Sequence, residues 1–90
     1  MILARVTGKI TGSVQHPSYY GRPLYAVRPL RTDGGLGGSF VALDSVGCAL
    51  GDEVLVARVP GLARSVLAAE CAPVRSLILG ILDAHVAHPS

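Results

Sequence analysis

Ninety residues with eight Lys and Arg against six Asp and Glu give a formal net charge of +2, with half the positions apolar and only 16% charged. A chain of that size is one domain and buries only about 60% of its unfolded surface, so the apolar excess behind a mean hydropathy of +0.49 is more than a private core absorbs. Membrane spanning is excluded for its longest apolar stretches, such as residues 76–82, which fall short of the ~18–20 residues required, and covered apolar surface between subunits remains as the expectation.

Residues 2–10 alternate, with Ile2, Ala4, Val6, Gly8 and Ile10 on one face and Arg5, Thr7 and Lys9 on the other, the period-two pattern of a half-buried strand. Turn residues crowd positions 12–23, which predicts a loop with room for a short strand around Val14. A second strand is expected over residues 24–28, closed by Pro29. The glycine-rich run Asp33-Gly34-Gly35-Leu36-Gly37-Gly38 predicts a mobile connection. It lacks the Gly-Lys-Ser/Thr and following helix of a phosphate loop, since residues 39–43 read as a strand.

A turn system at residues 44–52 leads into Val54-Leu55-Val56-Ala57, an apolar β-branched run that predicts a strand buried on both faces. Pro60 and Gly61 break the chain. Leu62/Val66 and Ala63/Leu67 stand at i, i+4 spacing, so one or two helical turns are expected within residues 62–70. The last strand is expected over residues 77–83, followed by a tail at residues 84–90 that frays or docks on a neighbour. The whole reads as an all-β chain, a small closed β-barrel of five to six strands with one short helix, because closure removes exposed strand edges.

Convergent chemistry is not evident. Asp33, Asp44, Asp52, Glu53, Glu70 and Asp83 fall mostly at strand ends and turns, where carboxylates satisfy backbone donors. His85 and His88 form an HxxH pair in the tail without a third ligand, and Ser39 and Ser65 have no base partner. No catalytic residue, metal ligand or cofactor is therefore expected. Cys48 and Cys71 are too few for a disulfide scaffold and read as reduced, buried thiols. The first residues lack the basic-then-apolar pattern of a signal peptide, so a cytoplasmic location is expected. The cations are scattered and Lys9 is the only lysine. A barrel that stacks single-stranded nucleic acid on Tyr19, Tyr20, Tyr25 and Phe40, with Arg22 and Arg28 beside them, is the alternative.

The block Asp44-x-Val46-Gly47-Cys48-Ala49-x-Gly51-Asp52-x-Val54-Leu55 resembles the Asp-x-Val-Gly-Ala-Gly-x-Gly-Glu/Asp-x-Val-Leu block of the EutN/CcmL family, the pentameric vertex proteins of bacterial microcompartment shells. Ala63-Arg64 stands in the place of that family's Gly-Ser-Ser-Ala-Arg turn. Pro73-Val74 and Ile78-Leu79-Gly80-Ile81-Leu82-Asp83 resemble its terminal block, and Ala4-Arg5-Val6-x-Gly8 and Gly21-x-Pro23-Leu24-x-x-Val27 resemble its first two strands. The resemblance implies a β-barrel related to the OB fold over residues 1–83, a homopentamer, and hexameric or pseudohexameric shell proteins as partners, without nucleic acid or membrane.

It places Asp44, Val46, Gly47, Gly51, Asp52, Arg64, Ile81 and Asp83 at the subunit interface, and Pro60, Gly61 and Leu62 at the axial opening. Asp44 and Asp52 have two readings, capping of turn amides and pairing with Arg64 of a neighbour. The sequence departs from the family at Cys48-Ala49, at Pro60-Gly61-Leu62, at Arg22-Pro23, and at Arg75, where the family has Asp.

Overall fold

Alternation in the first segment produces β1 (Ile2–Ile10), followed by β2 (Gly12–Val14), β3 (Leu24–Pro29), β4 (Phe40–Asp44), β5 (Glu53–Arg58), β6 (Val66–Ala68) and β7 (Ser76–Ile81). The computed structural model describes residues 1–15, 17–59, 62, 66–68 and 74–82. Five strands close into a barrel in the order β1-β3-β4-β7-β5, with β5 returning to β1. Its pairs are antiparallel except β4 with β7, which runs parallel through Ala42↔Ser76, Leu43↔Leu77 and Asp44↔Ile78. Closure leaves none of these five strands as a free edge, as expected from the number of short strands.

The apolar residues divide between two cores. Ala4, Val6, Val27, Ala42, Cys48, Val54, Val56 and Ile78 fill the barrel, with Tyr25 and Phe40 packed against them. The odd-even partners of these residues point outward. Leu24, Leu43 and Leu77 form a second core on the barrel's outside with Val14, Leu62 and Val74. A two-stranded ribbon of β2 and β6 stands apart from the barrel sheet, and Val14 carries it into that second core.

Three expectations change. Residues 66–68 form a strand and not a helix, because Gly12↔Ala68, Ser13↔Leu67 and Val14↔Val66 pair backbone groups that β2 would otherwise leave unsatisfied. The apolar run 54–57 is not buried on both faces. Val54 and Val56 enter the barrel, while Leu55 and Ala57 on its outer face remain half-exposed. The glycine-rich connection is tied at several points: Leu30 and Leu36 form a bridge, Arg31 N–H donates to the Gly35 carbonyl, and Arg28 donates to the Gly37 and Leu36 carbonyls at 2.7 and 3.2 Å. Gly34 supplies the positive φ, 87°, that its turn requires.

The two ends of the barrel differ. At one end the chain from Ser45 to Asp52 folds across the opening. Val6 N–H donates to the Asp52 carbonyl, and Gly51 N–H donates to the Val6 carbonyl. The other end is bounded by the start of β1, the start of β4, the end of β5 and the start of β7.

Candidate assembly face and end-capping turn

The turn that caps the barrel is organised by two aspartates. Asp44 is only 1% exposed, and its Oδ1 accepts hydrogen bonds from the Val46 and Gly47 amides at 2.9 and 3.0 Å. The second oxygen accepts again from Gly47 at 3.1 Å. Asp52 Oδ2 accepts from the Ala49 amide at 2.9 Å. Gly47 and Gly51 have φ of 86° and 89°, and a Cβ on either would meet nothing within 4 Å. Their glycines are thus required by backbone conformation and not by crowding. Ser45 Oγ donates to the Ile78 carbonyl at 2.6 Å and ties this turn to β7.

On the outside of the barrel, Leu3 lies opposite Leu55, and Leu55 lies opposite Gly80. Residues paired across adjacent strands share a face, so these three form a row on the outer surface of β1, β5 and β7. The next outward pair along β1 and β5 is Arg5 with Glu53, joined at 3.1 Å. Leu3 itself is exposed, as are Leu79, Ile81 and Leu82 on or just after β7 and Val46 and Leu50 on the capping turn. Gly80 has no positive φ, and a Cβ there would meet nothing within 4 Å. Neither its conformation nor packing among the described residues calls for a glycine at that position.

The model of the family described as "Ethanolamine utilisation protein EutN/carboxysome" matches residues 1–83. The chain belongs to the EutN/CcmL family. It is 36% identical over 88 residues to the bacterial microcompartment shell vertex protein PduN of Salmonella typhimurium, covering 92% of this chain and 96% of that one. Among solved structures, the pentameric microcompartment shell protein GrpN from Rhodospirillum rubrum superposes with a TM-score of 0.68 at 26% identity, over 93% of this chain and 94% of the other. The ethanolamine utilization protein EutN from Escherichia coli gives 0.66 at 30% identity, over 92% and 86%.

The EutN/CcmL-like block at residues 44–55 is therefore the capping turn and the start of β5. Of the residues expected at a subunit interface, Val46, Gly47 and Gly51 lie exposed on that turn, Asp52 is half-buried beside it, and Ile81 is exposed at the end of β7. Asp44 is buried, and its carboxylate accepts from turn amides inside the subunit, the capping role that the sequence also allowed. Leu62, expected at the axial opening, is buried within the single subunit. At 2% exposure it packs into the second core, because the outer side of β4 and β7 is apolar and needs cover. Pro60, Gly61, Arg64, Asp83, Cys71, His16, His85, His88 and the tail at residues 84–90 lie outside the described residues. Leu3, Leu55 and Gly80 were not legible as partners in the sequence, since their juxtaposition depends on strand order and register.

The aromatic residues of the nucleic-acid alternative do not form a stacking platform. Tyr25 and Phe40 pack on the barrel core and Tyr19 on the second core, the Tyr25 hydroxyl donates to the Cys48 carbonyl at 3.3 Å, and Arg28 is occupied with loop carbonyls. Tyr20 alone of the four is largely exposed, at 75%.

Cys48, one of the family departures, is buried in the barrel core with a free thiol. Burial, reinforced by the Asp44 carboxylate, pushes that thiol from the ordinary 9 up to about 12. The thiolate fraction at neutral pH is correspondingly far below that of a free cysteine. At pH 8, iodoacetamide is expected to label Cys48 at least ~100-fold more slowly in the folded than in the denatured chain, as read by peptide mass spectrometry. The sign for stability follows from the retained proton. The unfolded chain releases it near pH 9 while the folded chain holds it, so stability falls as pH rises from about 9 towards 12. The Tyr25 phenol, raised chiefly by burial and then by Cys48, acts in the same direction above its ordinary value of 10. Cys48→Ala should flatten the thiol's part of this decline in thermal melts between pH 7 and pH 10.5.

Proposed function

We propose that the protein is a structural vertex subunit of a bacterial microcompartment shell, located within the cytoplasm, in which five copies form a ring and act through geometry, not catalysis. The observation that carries this reading is the uncovered apolar row Leu3-Leu55-Gly80 with exposed Ile81 and Leu82 at its margin, in a chain of the EutN/CcmL family. The apolar run 54–57 has the composition of a strand covered on both sides, and the barrel interior covers one. A neighbouring copy supplies the other, and its close approach accounts for the missing side chain at Gly80.

In this reading the capping turn, through Val46, Gly47, Gly51 and Asp52, and the β7 end, through Ile81 and Asp83, contribute to the same contact. Arg64 belongs with them, and Pro60 and Gly61 border the axial opening. A ring of five set among hexameric tiles introduces the curvature that closes a flat layer, and the outer rim of the ring meets those tiles. PduN and GrpN, described respectively as a shell vertex protein and a pentameric shell protein, support the assignment. Native mass spectrometry at micromolar concentration should show a pentamer. A stable monomer or a hexamer under those conditions is the result that would count against the ring.

A further inference from the structure

The uncapped end of the barrel opens into a cavity of about 360 Å³. Its lining includes inward positions at the strand ends, Ile2 of β1, Phe40 of β4, Val56 and Arg58 of β5 and Ser76 of β7, together with Arg75 and outward residues of β4 and β5 at the rim. The inward assignment follows from register. Val54 and Val56 point into the core, so Arg58 continues the same side of β5, and it lies opposite Ser76. An arginine on the inner side of a strand is unusual, because burial of an unpaired charge is costly and position 58 is tolerable only where the barrel opens.

Among the described residues neither guanidinium has a carboxylate partner: the ion pairs are Arg5–Glu53 and Arg31–Asp33, no carboxylate lines the cavity, and Arg58 and Arg75 are both exposed. The cavity thus combines an apolar floor, a hydroxyl and two cations whose planar forks match the oxygens of a carboxylate or phosphate. Its volume is at the small end of the ~300–1000 Å³ that accommodates small-molecule ligands, and barrel mouths are a recurrent place for them.

We propose that this barrel mouth binds a small organic anion, a carboxylate or phosphate carried on a short apolar body, with Arg58 and Arg75 holding the anionic group and Ile2, Phe40 and Val56 receiving the apolar part. The site lies at the end of the barrel opposite the capping turn, and its chemistry does not require the ring.

The test is an NMR titration of the isotope-labelled full chain with hexanoate, hexyl phosphate, inorganic phosphate and hexanol. At least one of the two organic anions is expected to shift the signals of Ile2, Val56 and Ser76 and to bind at least tenfold more tightly than either hexanol or inorganic phosphate. Which of the two binds better identifies the head group. Replacing both arginines (Arg58→Gln with Arg75→Gln) should erase the advantage over hexanol while leaving the spectrum of the rest of the barrel in place. Equal binding of hexanol would reduce the site to an apolar cleft and overturn the proposal, and so would equal binding of inorganic phosphate or shifts centred on other arginines. The comparison among ligands decides the matter on the unmodified protein even where the double variant fails to fold.

Discussion

Asp44→Ala is expected to lower the melting temperature by roughly 12–24 °C, the largest stability loss foreseen for a single side chain. The enclosed carboxylate accepts from the Val46 and Gly47 amides, and each hydrogen bond to a charged acceptor contributes about 1.5–3 kcal/mol. Truncation removes the one acceptor group that both amides share inside the turn. A net loss of about 3 kcal/mol is therefore a conservative expectation, and in a domain of this size each kcal/mol corresponds to about 4–8 °C. Asp44→Asn keeps one acceptor oxygen and should lose about half as much. Melts must be compared at equal protein concentration, because assembly adds a concentration-dependent contribution. An alanine variant melting within 3 °C of the parent would show that the turn is held by other means.

Gly80→Glu should have the opposite profile, a folded subunit that no longer forms rings. The added side chain meets nothing inside the subunit, so far-UV circular dichroism of the barrel should be unchanged, while native mass spectrometry moves from pentamer to monomer. Gly80→Ala sharpens the distinction. Alanine in place of a mid-strand glycine stabilises an isolated fold by roughly 0.5–1 kcal/mol, yet its methyl group occupies the surface a neighbour is inferred to approach, so fold stability should rise as assembly weakens. Gly38→Glu serves as the control, since Gly38 also has open space around its Cβ but lies in the loop before β4. Loss of the pentamer in the Gly38 variant alone would move the contact away from β7.

The sequence reading succeeded where one residue's environment is set by its near neighbours. Alternation marked β1 as a strand, and Ala4 and Val6 do line the barrel, but a register shift after Val6 turns Ile10 to the second core outside it, which the single-face reading missed. The Gly47/Gly51 spacing marked a turn because positive φ is a local demand. It went astray where distant partners decide. Leu62/Val66 spacing suggested a helix, but pairing of Val14 with Val66 draws that segment into a strand. Val54 to Ala57 suggested burial on both faces, and the subunit alone supplies one.

For the candidate site, the family-like block located the capping turn. Asp44 was legible as a turn residue but not as one wholly enclosed. Arg58 and Arg75, seventeen positions apart, meet at one cavity only because Arg58 pairs with Ser76 across β5 and β7. No periodicity in either segment reports that.

The parallel pairing of β4 with β7 has a consequence for how the subunit is made. It joins Ala42–Asp44 to Ser76–Ile78, and β7 is the last of the described strands in chain order, so the barrel stays open until residues 76–81 can pair. Pairings this distant in sequence form slowly, because the intervening chain must be ordered first. Gly80 belongs to that closing strand. The surface inferred to meet a neighbour is therefore completed in the same step that shuts the barrel, and a half-folded chain lacks the β7 part of that contact. Maturation of the subunit and its admission to the shell become a single checkpoint.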